Sequence, residues 1–126
     1  MDIGLQVLLE LNGTEYTEEN GYWYKTAAWK VEKSPERPHG IRYNLTLHNN
    51  RNERVMGFDN AHAPHGKRRG RYKGRIVEYD HAHYHKNDPG TPYSFESAEQ
   101  LLEDFFNEVT KRIQSDIFDR RGNKHG

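Results

Sequence analysis

The segment GIRYNLTLHNN, residues 40–50, has the clearest strand pattern in the chain. Its apolar residues Ile41, Tyr43, Leu45 and Leu47 alternate with polar ones. Because successive side chains of a strand point to opposite faces, this alternation predicts one face against a core and one face in polar surroundings. A chain with such a strand must build a sheet that is covered on one side.

Four other segments predict further strands of the same sheet. We expect strands over Leu5–Thr17, Tyr22–Glu32, Arg54–Asn60 and Arg75–His85. The first two are separated by an Asn-Gly pair at residues 20–21, a strong hairpin signal because both residues accept positive φ at little cost. The order of these segments along the chain predicts an antiparallel meander.

One helix is predicted near the C-terminus. Ser97 can cap it and Gln100, three residues later, completes a capping box. The apolar residues that recur at helical spacing are Leu101, Leu102, Phe105, Val109 and Ile113. An isolated helix of this size is marginal in water, so the stripe must pack on the sheet. We expect it to contact the face of the second strand formed by Trp23, Ala27, Trp29 and Val31.

These elements predict an α+β fold, an antiparallel meander sheet of four to five strands packed against one C-terminal helix. The chain has 126 residues, which suits a single domain. We expect that domain over residues 1–114, followed by a polar, frayed tail over residues 115–126.

Charge and composition exclude several classes of function. The chain has 19 Lys+Arg and 19 Asp+Glu, so its surface as a whole is not a nucleic-acid or membrane patch. It contains no cysteine, which excludes a thiol nucleophile and thiolate metal ligands. No segment approaches the run of about 20 apolar residues that spans a bilayer, and the first residues do not resemble a signal peptide. We therefore expect a cytoplasmic protein without a membrane partner.

The stretch RIVEYDHAHYHK, residues 75–86, carries the first candidate site. On a strand, His81, His83 and His85 project to one face, with Asp80 on the other. Two histidines at i and i+2 can share a zinc ion with a third ligand. The third ligand could come from Asp59, Asp80, His62 or His65, but no further metal motif supports this interpretation.

The same histidines also suit RNA cleavage without a metal ion. Attack by the 2′-hydroxyl of RNA requires a base, an acid and cations that steady the charge on phosphorus. Histidine suits both proton transfers because its unperturbed pKa lies close to neutral pH. Arginine suits the phosphate because its planar fork binds two oxygens at once.

A basic segment precedes the histidines and supplies such cations. Its cations are Lys67, Arg68, Arg69, Arg71, Lys73 and Arg75. Nearby tyrosines, Tyr79 among them, offer faces on which unpaired bases could stack. The alternative for this segment is a solvated loop without a function of its own.

Several segments resemble those of the TumE family of small toxins from prokaryotic toxin–antitoxin modules. The similar segments are GFDNAHAPHG, EYDHAHYHKND, TPYSFES and LLEDFFNEV. The residues that match the family pattern are Gly57, Phe58, Asp59, Asn60, Asp80, His81, His83, Pro92, Tyr93, Phe95, Leu101, Asp104 and Phe105. The chain departs from the pattern between Asp59-Asn60 and Asp80, where many members have a short Gly-Lys-Gly link and this chain has residues 61–79.

The resemblance implies a growth-inhibiting toxin that is neutralised by an antitoxin, usually a helix-turn-helix DNA-binding protein encoded beside it. It also implies that the target is RNA. It favours His81 and His83 as functional residues, which the chemistry favours independently. It assigns no role to the basic segment, whose role rests on charge alone.

We therefore predict an RNA-cleaving toxin that needs no metal ion or other cofactor. His81 and His83 are the expected acid and base, and Asp80 or Asp59 orients one imidazole. The expected substrate-binding residues are Lys67, Arg68, Arg69, Arg71, Lys73, Arg75 and Tyr79. Two alternatives stay open: a non-catalytic module that binds RNA or protein, and a metal-dependent hydrolase with the histidines as ligands. Pairing of an exposed sheet edge with a second copy also stays open.

Overall fold

The computed structural model describes residues 3–35, 37–60, 71–72, 75–76, 80–88 and 90–123. It confirms the predicted α+β class, an antiparallel sheet packed against a C-terminal helix. The helices are α1 (Ile3–Glu10) and α2 (Ala98–Asn123), and a 3-10 turn covers Glu19–Gly21. The strands are β1 (Thr14–Thr17), β2 (Trp23–Lys30), β3 (Ile41–His48), β4 (Arg54–Asp59), β5 (Arg71–Tyr72), β6 (Arg75–Ile76), β7 (His81–His83) and β8 (Thr91–Pro92).

The main sheet is an antiparallel meander with the order β1-β2-β3-β4-β7-β8. It therefore has six strands within the described residues, where four to five were predicted. The two-residue strands β5 and β6 pair only with each other, in a separate ribbon that the chain forms between β4 and β7. Of the strand expected over Arg75–His85, the described residues place His81–His83 in the main sheet and Arg75–Ile76 in the ribbon, and residues 77–79 lie outside the described part.

The core lies between the sheet and α2. Tyr43, Leu45 and Leu47 of β3 are buried, as their alternation predicts, and so are Leu101 and Phe105 of α2. Aromatic contacts connect the two layers: Phe105 packs edge-on against rings of β2 and β4. The helical stripe therefore buries its apolar area against the sheet, the main source of stability for such a helix.

The expectation that the tryptophans form the core is wrong. Thr26 and Ala28 of β2 are each 1% exposed and face α2, whereas Trp29 is 42% exposed. Trp23 stacks on His48 with 4.1 Å between the ring centroids, on the opposite face of the sheet. The small residues take the core position beside α1, where the Thr26 hydroxyl donates to the main-chain oxygen of Leu11, and the large rings pack over polar neighbours instead.

The expectation of a strand over Leu5–Thr17 is wrong for its first half, which forms α1, and correct for Thr14–Thr17, which forms β1. Leu8 of this helix is fully buried in the core. Gly4 lies against α2, where a Cβ atom would be only 2.7 Å from the main-chain nitrogen of Glu99. Short apolar runs suit a helix and a strand equally, and here contact with α2 decides for the helix.

The predicted cap of α2 is confirmed, and the helix is longer than predicted. The main-chain N–H of Gln100 donates to Ser97 Oγ at 3.1 Å, and the N–H of Glu96 donates to Gln100 Oε1 at 2.8 Å. The helix continues to Asn123, through most of the residues expected to form a frayed tail. The hydroxyl of Tyr22 hydrogen-bonds Asp116 and ties this extension to the sheet. Within the described part of the chain, neither helix combines the length and apolar character needed to cross a membrane.

Candidate functional site

Asp59, His81 and His83 lie together on the face of the sheet opposite to α2, which we call the far face. Strands β4 and β7 are neighbours, and Asp59 is paired with His81 in their register. Phe58 and Ala82, which are paired with each other, point into the core. Because side chains alternate along a strand, the aspartate and both histidines point to the far face.

The Asp59 carboxylate contacts both imidazoles. His81 Nε2 lies 3.0 Å from Asp59 Oδ1, and His83 Nε2 lies 3.4 Å from Asp59 Oδ2. All three side chains are buried. One donor atom from each residue lies within 4.8 Å of the others, so this cluster could hold a metal ion.

Burial and the neighbouring charged groups act in opposite directions on the ionisation of the Asp59 carboxyl. Burial by itself raises the pKa of the Asp59 carboxyl. The hydrogen bond from His81 and the nearby charges of His81, His83 and Arg54 act in the opposite direction and prevail. The pKa of Asp59 is therefore lowered, and its carboxylate stays ionised beside two imidazoles.

The turn after β7 fixes His83. Its Nδ1 lies 2.8 Å from the main-chain oxygen of Asp88, and because a carbonyl can only accept, Nδ1 carries a proton. The Asp88 carboxylate accepts hydrogen bonds from the N–H groups of Tyr84 and Gly90 at 3.0 and 2.8 Å. The turn is therefore a rigid support for one imidazole of the cluster.

Gly90 lets the same turn close against both imidazoles. It has φ of 114°, a conformation that side chains rarely adopt. A Cβ atom there would lie 2.9 Å from His81 Cδ2 and 3.0 Å from His83 Cε1. Only glycine is compatible with both the backbone angle and this contact.

Asp80 points to the core side and orients a different imidazole. Its two oxygens each lie 2.9 Å from His39 Nε2, and Oδ1 accepts the hydroxyl hydrogen of Tyr43 at 2.8 Å. The N–H of Ile41 donates to His39 Nδ1, so His39 donates to Asp80 through Nε2. Burial and the neighbouring Asp80 raise the pKa of Tyr43. In this arrangement Asp59, not Asp80, contacts the imidazoles of His81 and His83.

Asn60 is a buried support rather than a turn residue. Its Nδ2 donates to the main-chain oxygen of Ile41 at 2.6 Å and to Asp80 Oδ1 at 3.2 Å. Its Oδ1 accepts from the N–H of Tyr43 at 3.0 Å. Asp59 and Asn60 thus serve opposite faces: the first completes the far-face cluster, and the second joins β3 to Asp80.

A groove of about 460 Å³ on the far face extends from Asp59 across β4 and β3 to β2. Its lining residues are Trp23, Lys25, Ala27, Asn44, Thr46, His48, Arg54 and Asp59. Burial and the charges of Lys25 and Arg54 lower the pKa of His48, so this imidazole is biased toward the neutral form. Apart from Asp59, sequence reasoning missed these residues as a site. The sequence offered one signal, since Lys25 shares a strand face with Trp23 and a lysine on that face indicates that it is not the core.

The model of the family described as Toxin TumE matches residues 7–113. The chain belongs to the TumE toxin family. The match covers all three residues of the far-face cluster, and membership identifies the protein as a toxin of a toxin–antitoxin module with a cognate antitoxin. Neither the curated proteins nor the solved structures contain a match to this chain.

Some predicted site residues of this TumE family member lie outside the described residues. These are Lys67, Arg68, Arg69, Lys73 and Tyr79, together with the candidate metal ligands His62 and His65. Arg71 and Arg75 belong to the ribbon, where Arg71 is paired with Ile76 and Tyr72 with Arg75. Only their backbone is described, so a role for either side chain stays a prediction.

Proposed function

We propose that this TumE family toxin cleaves RNA, with Asp59, His81 and His83 as its reaction centre. The observation that carries the proposal is the convergence of one carboxylate and two imidazoles at the end of a groove that presents cations. Such a groove can receive a phosphodiester chain and bring it to the cluster.

The proposed reaction is attack by the 2′-hydroxyl oxygen on the adjacent phosphorus. A bond forms between that oxygen and phosphorus, and the bond from phosphorus to the 5′ oxygen breaks. A base must take the 2′-hydroxyl proton, and an acid must give a proton to the leaving oxygen. The cluster supplies His81 and His83 for these transfers, with Asp59 orienting them. These transfers require Nε2 atoms that are free of a metal ion, since an imidazole nitrogen bound to a metal cannot carry a proton; with an ion bound, the histidines would be its ligands and a metal-activated water would be the base.

The far-face groove suits single-stranded RNA. Lys25 and Arg54 offer charges to phosphates, and the ring of Trp23 offers a surface for base stacking. Trp29 also lies on this face, with the guanidinium of Arg42 5.4 Å from its ring centroid. We further propose that the basic residues at positions 67–75 and Tyr79 extend this path, as their charge and aromatic character predict.

The partner proposed from family membership is an antitoxin of the helix-turn-helix type. A small reading frame beside the gene that encodes such a protein would support this, and co-expression should relieve growth inhibition. Growth inhibition that no neighbouring gene relieves would contradict it. Self-association through an exposed sheet edge stays a separate proposal, which size measurements in solution test.

The test of cleavage uses the purified full-length toxin and a labelled single-stranded RNA. We expect cleavage by the wild type and a loss of about 100-fold or more in His83→Ala and in Asp59→Asn, because each removes part of the proton-transfer centre. His85→Ala is the matched control, since this histidine lies two residues farther along and is exposed. It should cleave like the wild type. Circular dichroism and thermal melting should show that all variants are folded.

A non-catalytic RNA-binding module would give a different result. The wild type would then retain RNA in a salt-sensitive way without shortening it. Growth inhibition that survives both His81→Ala and His83→Ala in cells would likewise place the toxic activity elsewhere. Either outcome would overturn the proposed cleavage.

A further inference from the structure

We infer that Asp59, His81 and His83 bind one divalent transition-metal ion, with Zn²⁺ as the leading example. The sequence favoured a reaction without metal, because a His-x-His pair is a weak signal on its own. The fold adds a carboxylate from a different strand and a fixed tautomer for one imidazole. Binding of the ion can be tested by itself, whereas any role of the ion in RNA cleavage rests on the proposed function.

The first support for the ion is the tautomer of His83. Its Nδ1 donates to the main-chain oxygen of Asp88, so a neutral ring directs the lone pair of Nε2 toward Asp59 Oδ2. Two acceptors that face each other repel unless a cation lies between them. That cation is either a second ring proton or a metal ion.

The distance between His83 and Asp59 favours the metal ion over the proton. A charge-assisted hydrogen bond from an imidazolium to a carboxylate is about 2.7–2.9 Å long. The separation between His83 Nε2 and Asp59 Oδ2 is 3.4 Å, longer than such a bond. The separation between His81 Nε2 and Asp59 Oδ1 is 3.0 Å, which fits a hydrogen bond that a bound ion would replace. A zinc ion about 2.0–2.1 Å from each of its ligands holds the donor atoms roughly 3.3 Å apart in a tetrahedral site.

The surroundings have the support that metal-binding histidines require. A ligating histidine usually donates its other N–H to a carbonyl or carboxylate, and His83 does so to Asp88. The Asp88 carboxylate in turn holds the turn that carries Gly90 against both rings. Both histidines and Asp59 are buried, so their geometry is set by packing before any ion arrives.

The ligand set indicates the class of ion. Two imidazole nitrogens and one carboxylate oxygen suit Zn²⁺, Fe²⁺, Co²⁺, Ni²⁺ or Mn²⁺ better than Ca²⁺ or Mg²⁺, which prefer oxygen ligands. Three protein ligands leave at least one position for water or a phosphate oxygen. A bound ion could thus neutralise charge on an RNA phosphate at the end of the far-face groove.

The test is titration of the full-length protein, first stripped with a chelator, with Zn²⁺ and with Co²⁺. We expect one ion per chain, a rise in melting temperature, and a visible Co²⁺ spectrum with nitrogen ligands. Affinity should fall at least 10-fold in Asp59→Asn and His81→Ala but stay unchanged in the control His85→Ala. Gly90→Ala displaces both imidazoles without removing a ligand and should weaken binding by about 10–100-fold.

A measurement on the wild type avoids dependence on variants that fail to fold. In nuclear magnetic resonance of ¹⁵N-histidine protein, Zn²⁺ should shift the Nε2 signals of two histidines at one equivalent. Absence of this shift, or equal affinity in wild type and Asp59→Asn, would overturn the metal site.

The metal site and the proposed function fail in different ways. RNA cleavage that persists in chelator, by a protein that binds no ion, would reject the metal site and keep the ribonuclease. An ion bound at the cluster of a protein that does not cleave RNA would keep the metal site and reject the ribonuclease.

Discussion

Asp59 and Asp80 are two buried aspartates beside histidines, and their different surroundings separate their roles. Asp59 shares its oxygens between His81 and His83 on the far face. Asp80 accepts hydrogen bonds from three side chains on the core side, those of His39, Tyr43 and Asn60. We expect Asp59 to matter for activity and Asp80 for folding, because of these two aspartates Asp59 is the one that lines the groove.

Asp80→Asn should destabilise the fold. An amide keeps one acceptor oxygen, but it replaces the other by an NH₂ group that faces the N–H donor of His39, and it removes the charge that strengthens the remaining bonds. We expect a loss of about 2–4 kcal/mol in the free energy of unfolding, measured by urea denaturation. Glu103→Gln on α2 is the control, since that side chain is exposed and should change stability by less than about 0.5 kcal/mol. Equal stability of the two variants would contradict the buried network.

The lowered pKa of Asp59 predicts an acid-dependent loss of stability. Its carboxyl has a pKa below the ordinary value of 3.8 in the folded protein, so the folded state binds this proton less readily than the unfolded state. The resulting stabilisation is present above the ordinary pKa and is lost as the pH falls through the lowered value. We compare the free energy of unfolding of the wild type and of Asp59→Asn from pH 5 to pH 3. The difference between the two should change below about pH 4. A difference in the free energy of unfolding that stays constant over this range would reject the prediction.

At the scale of the elements, the far-face groove carries two cationic side chains from different strands, Lys25 of β2 and Arg54 of β4. Lys25→Ala and Arg54→Ala should each weaken RNA binding at low salt, because each removes a charge from the groove. We expect each variant to reduce the slope of log affinity against log salt by about 1, measured by fluorescence anisotropy. Lys111→Ala is the matched control, since Lys111 is an exposed lysine on α2. If it weakens binding as much as the groove variants, the RNA path lies elsewhere.

The sequence predicted those elements whose pattern is local. β3 follows from the alternation of Ile41 to Leu47, and the start of α2 follows from Ser97 and Gln100. It could not predict which face of β2 meets the helix, because Trp23 and Trp29 carry more apolar area than Thr26 and Ala28. That choice is decided by contacts distant in sequence, in which Thr26 and Ala28 hydrogen-bond to Leu11 and Asn12 directly after α1. The run of leucines in α1 fits a helix or a strand equally well. The packing of Gly4 against Glu99 of α2 favours the helix.

At the scale of the whole molecule, the fold assembles sites from residues that are distant in sequence. His39 and Asp80 are 41 positions apart and share no local motif, so their pair was invisible before β3 and β7 were placed. His81 and His83 were predicted as functional from their spacing and from the family resemblance. Their common partner Asp59 was one of two candidates, and the register of β4 with β7 brings it to them.

The pairing of Asp59 with His81 also bears on how this chain tolerates change in length. The two strands that hold the cluster are direct neighbours, and the described part of the segment between them, β5 and β6, pairs outside the main sheet. Closing such a connecting segment costs little more when it is long than when it is short, since the entropy grows only with the logarithm of its length. Evolution can therefore lengthen or shorten it while the ends stay in register. The same segment is a natural place to insert a reporter domain.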